Sequence, residues 1–187
     1  MAGDDTPQGA DSGRANRQAL RASLQQIYDL YRTSLLNVKY YGYKLTIANR
    51  CNIAAEIVVV VGSATSGVSG WAVWTWGYGK EIWLAFAAAA TLIAALKPVL
   101  QINKKIELYG KLFGGHHANY LATKALVERV KAQRELTPGM QAVYRAIQGR
   151  YLDLARDDEP NPSRKLIVRF QSEVNIQIPP EQLWWGD

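Results

Sequence analysis

The sequence predicts an all-α membrane protein: a two-helix transmembrane hairpin with long cytoplasmic helical extensions that form a helical bundle or stalk, followed by an extended C-terminal arm. Three observations predict it. Two apolar runs of about 20 residues, the length that crosses a hydrocarbon core, lie close together at 53–75 and 82–102. Ionisable side chains crowd both ends of the 187-residue chain, yet between Ile53 and Leu96 only Glu56, Lys80 and Glu81 are charged at neutral pH. Before the first run, Leu20, Leu24, Ile27, Tyr31, Leu35, Val38, Tyr41 or Gly42, and Leu45 recur in steps of three and four. That is the spacing of an amphipathic helix or coiled-coil seam. The slightly negative mean hydropathy averages a polar body with an apolar centre.

Residues 1–13, MAGDDTPQGADSG, are acidic, polar and rich in helix breakers, which predicts a disordered lead-in and no cleaved secretory leader. Ser12 or Asp11 is placed to cap a helix starting near Arg14. Residues 14–52 form the cytoplasmic stalk, and with no proline before the first span one helix is expected from about 14 to about 75. At about 1.5 Å per residue it is roughly 90 Å long, of which about 30 Å fits a bilayer core. The hairpin occupies 53–102, and the second span carries Pro98 near its exit, where a kink is tolerated if neighbours recapture the freed carbonyl. Residues 103–158 are cytoplasmic helices. Ile102, Ile106, Tyr109 and Phe113 resume the three-four spacing to about Glu135, and Thr137 caps a second helix with Pro138 in its first turn, running to about Ala155. Residues 159–187 are expected as an extended arm docking on a helix, because Leu166, Val168 and Phe170 alternate and Pro179-Pro180 follows.

The turn GWAVWTWGYGKEIW concentrates Trp71, Trp74, Trp76 and Trp83 around Gly77 and Gly79. Tryptophan favours the membrane–water boundary, where the ring is half desolvated and its N–H still finds a partner. The cluster reads as the aromatic belt at the outer interface; the alternative is packing at the closed end of a soluble helical hairpin. Seven Lys or Arg precede Asn52, and Lys104 and Lys105 follow the second span, whereas the turn carries Lys80 beside Glu81. The positive-inside rule then puts both termini in the cytoplasm. Lys97, Lys104 and Lys105 mark the inner interface.

On a helical wheel Asn52, Glu56, Gly62, Ser63, Ser66, Gly67 and Gly70 share one face of the first span, and Ile53, Ile57, Val61, Ala64 and Val68 the other. Val and Ile return only part of what a carboxylate costs in a span, so the first span is a poor lipid-facing helix. The second, with Ile82, Phe86, Leu92, Ile93 and Leu96, is a good one. The expected solution is a homo-oligomer in which first spans meet through Gly62, Ser66 and Gly70 at small-xxx-small spacing. A ring of them gives a polar path with an acidic lining; a tight dimer uses the same residues only for packing. An ion pair between Lys97 and Glu56 is disfavoured, since the wheel puts Lys97 on the Ile93 and Phe86 side, from which it snorkels to the headgroups.

Other chemistry is sparse. The net charge of +6 is interleaved with acids such as Glu107, Glu128, Glu135 and Asp153, as on a solvated helix, and predicts no specific nucleic-acid binding. Cys51 is the single cysteine, which excludes an intrachain disulfide and a thiolate zinc cage. His116 and His117 point about 100° apart on a helix and do not serve one metal, which leaves a structural or solvent-exposed role. GSATSGVSG lacks the Lys and following Ser/Thr of a phosphate loop. No catalytic, cofactor-binding or metal site is expected, and a membrane-bound enzyme is disfavoured for want of an acid/base constellation.

Over about residues 20–155 the layout resembles the SLATT domain, the two-span effector module associated with SMODS and SLOG proteins in bacterial conflict systems. The resemblance rests on YYGYKLTIANRCNIAAEI entering a glycine- and serine-rich first span, the Trp-marked turn, and an exit through LKPVLQINKKIELYGKLF. It implies an inner-membrane effector in antiphage defence that forms a pore or disrupts the bilayer, causing abortive infection. The trigger is then expected from a nucleotide-signalling or sensor protein in trans. The alternative is a membrane-anchored scaffold that recruits cytoplasmic partners through its helices.

Overall fold

The structure, a computed structural model, describes residues 8–64 and 77–179, with side chains at 17–61, 77–79 and 81–179. Five helices run through the described residues: α1 Gln8–Ala64, α2 Gly79–Leu100, α3 Ile102–Gln133, α4 Pro138–Ala155 and α5 Arg164–Gln177. All five are α, as the sequence predicts. The chain divides into two compact units, one of Met1–Tyr40 with Leu112–Asp187 and one of Tyr41–Lys111.

The first unit is a bundle of the leading part of α1, most of α3, α4 and α5. Its core joins Leu24, Ile27 and Leu30 of α1 to Leu126, Val127 and Val130 of α3, with Leu136 and, from α4, Met140 and Ile147. Full burial of each such aliphatic side chain contributes about 1.5–3 kcal/mol. Tyr31 stacks on Tyr120 at 5.3 Å between ring centroids. Burial first, and then the bond to Tyr120, hold the Tyr31 phenol well above its ordinary pKa, so it stays protonated. The three-four seam of α1 is thus consumed inside its own chain. Leu24, Ile27, Leu35 and Tyr41 are buried and Leu20, Tyr31, Val38 and Leu45 half-buried, which is the bundle rather than the stalk of the two forms expected.

Helix α4 starts where its residues dictate. Thr137 sits in extended backbone (φ −70°, ψ 156°) and its Oγ1 accepts the Met140 N–H at 3.3 Å, while Pro138 occupies a position whose N–H has no intrahelical partner anyway. Arg134 takes a left-handed conformation (φ 51°) at the end of α3, and its N–H bonds the Val130 carbonyl at 2.8 Å. At Gly115 of α3 a Cβ would overlap the Leu154 methyls of α4, so a side chain there must displace the end of that leucine.

The C-terminal arm is helical where it is described, which corrects the extended reading of 159–187 over Arg164–Gln177. Leu166, Phe170, Val174 and Ile178 recur every four residues, and Phe170, Val174 and Ile178 are buried. The alternation through Val168 does not govern, since Val168 is exposed. The helix does dock on α1, as expected of the arm. Tyr28, Leu35, Val174 and Ile178 form one cluster. Arg32 Nε donates to the Ile178 carbonyl at 3.2 Å, Tyr28 Oη to the Pro179 carbonyl, and Lys39 Nζ to Glu173 Oε2 at 3.0 Å.

That ion pair makes a pH prediction. The hydrogen bond from Lys39 is the largest influence holding the Glu173 carboxyl below its ordinary pKa of 4.5. A depressed folded pKa gives stability that is complete above the unfolded value and is lost as pH falls through the folded one. Docking of α5 therefore weakens below about pH 4.5 and not between pH 5 and 8. In Lys39→Met, the Glu173 carboxyl titration followed by NMR moves upward. An unmoved titration contradicts the pair.

Among the described residues Ser34 Oγ and Asn119 Nδ2 are buried without a hydrogen-bond partner. A buried hydroxyl left unpaired costs about 1–3 kcal/mol. Ser34→Ala is expected to raise the unfolding free energy by about 1 kcal/mol in a urea titration.

The second unit holds the rest of α1, α2 and the first turns of α3. Near its start Tyr41 packs on Tyr109 with ring centroids 6.3 Å apart, and Lys44 Nζ lies 5.7 Å over the Tyr109 ring. Helix α1 begins at Gln8, so residues 8–13 of the expected lead-in are helical. The glycines there each cost only about 1 kcal/mol against alanine, and no proline interrupts. Residues 1–7, 65–76 and 180–187 lie outside the described residues, and with them the far part of the expected first span.

Candidate functional site

The second unit carries the apolar surface. Among the described residues one helix, Glu81–Leu100, is long and apolar enough to cross a membrane, and none of that 20-residue window is buried. Ile82, Leu84, Phe86, Leu92, Leu96, Val99 and Leu100 are exposed along it. On α1 Ile53, Ile57, Val60 and Val61 are exposed as well. Alanines from Ala85 to Ala95 keep α2 slim and strongly helical. Pro98 lies in its last turns, and Gln101 takes a left-handed conformation (φ 48°, ψ 39°) before α3 begins. The helix ends at Leu100, two residues short of the limit expected for a second span.

Glu56 is the chemical centre of this unit. Its Oε1 accepts from Lys97 Nζ at 3.1 Å and from Asn52 Nδ2 at 2.9 Å. This corrects the disfavoured ion pair. The wheel treats each helix alone, whereas a four-carbon lysine stem swings its ammonium well off the face of its own Cα. Asn52, one turn before Glu56, shares the carboxylate, although its own Oδ1 is buried without a partner among the described residues. A carboxylate neutralised by a lysine of the same chain is also a poor source of an acidic ring.

The remaining seam residues divide. Gly62 and Ser63 belong to α1, where they keep the register predicted with Asn52 and Glu56; Ser66, Gly67 and Gly70 lie outside the described residues. Of the aromatic belt, Trp83 is half-buried in the first turns of α2, whereas Trp71, Trp74 and Trp76 lie outside them. Lys97 falls in the last turn of α2, and Lys104 and Lys105 are exposed in the first turn of α3.

The first unit holds a polar centre that the sequence assigned only a structural or exposed role. His116 is completely buried. Its Nε2 lies 3.3 Å from Asp158 Oδ1 and its Nδ1 3.5 Å from Asn37 Nδ2. A carboxylate only accepts, so Nε2 carries the proton and Nδ1 faces the amide donor. Tyr151 packs edge-on at 5.9 Å, its phenol pushed up by burial first. Next to it Tyr40 Oη donates to Glu159 Oε2 at 2.7 Å and accepts the Ser163 N–H at 3.0 Å. Together these bonds fasten the loop between α4 and α5 to α1 and α3. His117 is exposed and stacks on Phe113. Among the described residues no three His, Cys, Asp or Glu side chains are grouped to hold a metal. No family model, curated protein or solved structure matches the chain.

Proposed function

We propose that the chain is a homo-oligomeric membrane effector of the SLATT type, which inserts residues 53–102 as a hairpin into the bacterial inner membrane and opens or disrupts the bilayer on a partner's signal. The observation that carries this reading is the apolar helix Glu81–Leu100, none of whose residues its own chain buries. Apolar surface in water costs about 25 cal/mol per Å², so a helix of this length needs lipid or further protein around it. The small and hydroxyl residues Gly62, Ser63, Ser66, Gly67 and Gly70 supply the face through which copies meet. With Glu56 tied to Lys97, the path between them is lined by serine hydroxyls and is close to neutral. The reading assigns the chain no catalytic step.

Dye release from liposomes carrying the purified protein, measured under activating conditions, tests it. Wild type is expected to release the dye, and Ser66→Leu, which fills the small-residue face, to keep the vesicles tight. Equal tightness of the two, or equal leakage, removes the pore. A scaffold is the second reading, favoured by the separate core of the first unit, which is more than an anchor needs. Replacing residues 53–102 by an unrelated hairpin separates them: a scaffold keeps working and an effector does not.

A further inference from the structure

At the junction of α2 and α3 lies an open cleft of about 440 Å³. Its polar lining comes from Lys97, Gln101, Asn103 and Lys104, and its apolar lining from Ala94, Pro98 and Ile102. From 97 to 105 the chain carries three lysines and no acid. Lys97 gives one of its donors to Glu56, and the ammonium has three. Lys104 is exposed and adds uncompensated positive charge. The apolar groups continue directly into the uncovered flank of α2, where Leu96 and Val99 are exposed. One side of the cleft thus suits an anion and the other a hydrocarbon chain.

We propose that this cleft binds the phosphate headgroup of an anionic phospholipid of the inner leaflet, with its acyl chains lying along α2. The proposal rests on the hairpin reading given above and adds a ligand to it. Three features favour a lipid over a small soluble anion. The cleft sits at the end of a 20-residue apolar helix, which is where headgroup phosphates lie if that helix spans. Its lining is half apolar, which a free phosphate does not use. Pro98 has no N–H to return to the Ala94 carbonyl one turn back, which leaves an acceptor without its usual helical donor, and both residues line the cleft. The glycerol hydroxyls of a phosphatidylglycerol headgroup match that acceptor, while its phosphate matches Lys97 and Lys104. A choline headgroup offers no hydroxyl donor and carries no net charge.

Native mass spectrometry of the full chain in detergent, with phosphatidylglycerol or phosphatidylcholine of identical acyl chains, tests this. Phosphatidylglycerol is expected to be retained more strongly. Lys104→Ala should weaken that retention about fivefold, equivalent to about 1 kcal/mol for one lysine near a headgroup, and leave phosphatidylcholine unchanged. Lys104→Arg should restore it. Lys104 makes none of the bonds that hold the hairpin, so the variant keeps its fold, which circular dichroism checks. Equal retention of the two lipids, or displacement of phosphatidylglycerol by millimolar inorganic phosphate, overturns the proposal. Thiol labelling of Tyr78→Cys from outside the cell separates the two failures: labelling with no lipid preference rejects only the cleft, and no labelling rejects the hairpin beneath it.

Discussion

Ile147→Ala is expected to destabilise the first unit by about 2–5 kcal/mol. Ile147 is completely buried, on the face of α4 that meets Leu24, Ile27 and Leu30 of α1 and Leu126, Val127 and Val130 of α3. Truncation removes three carbons from the packed centre, and the helices around them close only partly on the void. Since a domain's whole stability is about 5–15 kcal/mol, this one change brings the bundle near its limit. The urea midpoint of the solubilised chain should fall with no change of slope, and Leu152→Ala, at an exposed position of the same helix, should leave it in place. A small shift for Ile147→Ala would mean that α4 does not close this core.

The second large effect is expected at the Glu56–Lys97 pair. Lys97→Glu sets two carboxylates against each other where Lys97 Nζ and Glu56 Oε1 now stand 3.1 Å apart. In an apolar surrounding, an uncompensated charge costs far more than the same charge in water. If residues 53–102 insert as proposed, most of the integrated protein should be lost, scored as the fraction that resists alkaline extraction. The reversed pair, Glu56→Lys with Lys97→Glu, restores opposite charges and should recover much of it. If Lys97→Glu integrates as well as wild type, the pair does not brace the hairpin.

Local signals were legible in proportion to their independence from the rest of the chain. Thr137-Pro138 fixes the start of α4 because the cap hydroxyl, the missing N–H and the extended backbone all act within four residues. The apolar run ending at Leu100 is equally self-contained. By contrast, the segment from Arg164 carries two competing periods: Leu166, Val168 and Phe170 fit a strand, and Leu166, Phe170, Val174 and Ile178 fit a helix. Only the presence of Tyr28 and Leu35 of α1, more than a hundred residues away, selects the second. The seam of α1 was visible as a seam, but a three-four stripe does not say whether its partner is another copy or the same chain.

The candidate site shows the same limit. Asn52 and Glu56 are one turn apart and read directly as neighbours, as the 2.9 Å bond between them bears out. Lys97 is 41 residues from Glu56, and a wheel drawn for each helix separately carries no information about how two helices are rotated against each other. In the sequence His116 reads only as structural or solvent-exposed. Its burial between Asn37 and Asp158 depends on three separate segments and left no mark in the local pattern.

Two thiol positions test the central claim, that residues 53–102 cross the membrane twice with both flanks on the inner side. Cys51 is the single native cysteine and is exposed just before the proposed first span. Tyr78, exposed at the turn before α2, serves as the second position in a Cys51→Ser, Tyr78→Cys chain. With a membrane-impermeant maleimide, position 78 should label in intact spheroplasts and Cys51 only after lysis. Labelling of both positions alike before lysis, protection of position 78 with Cys51 open, or recovery of the chain in the soluble fraction would contradict the account.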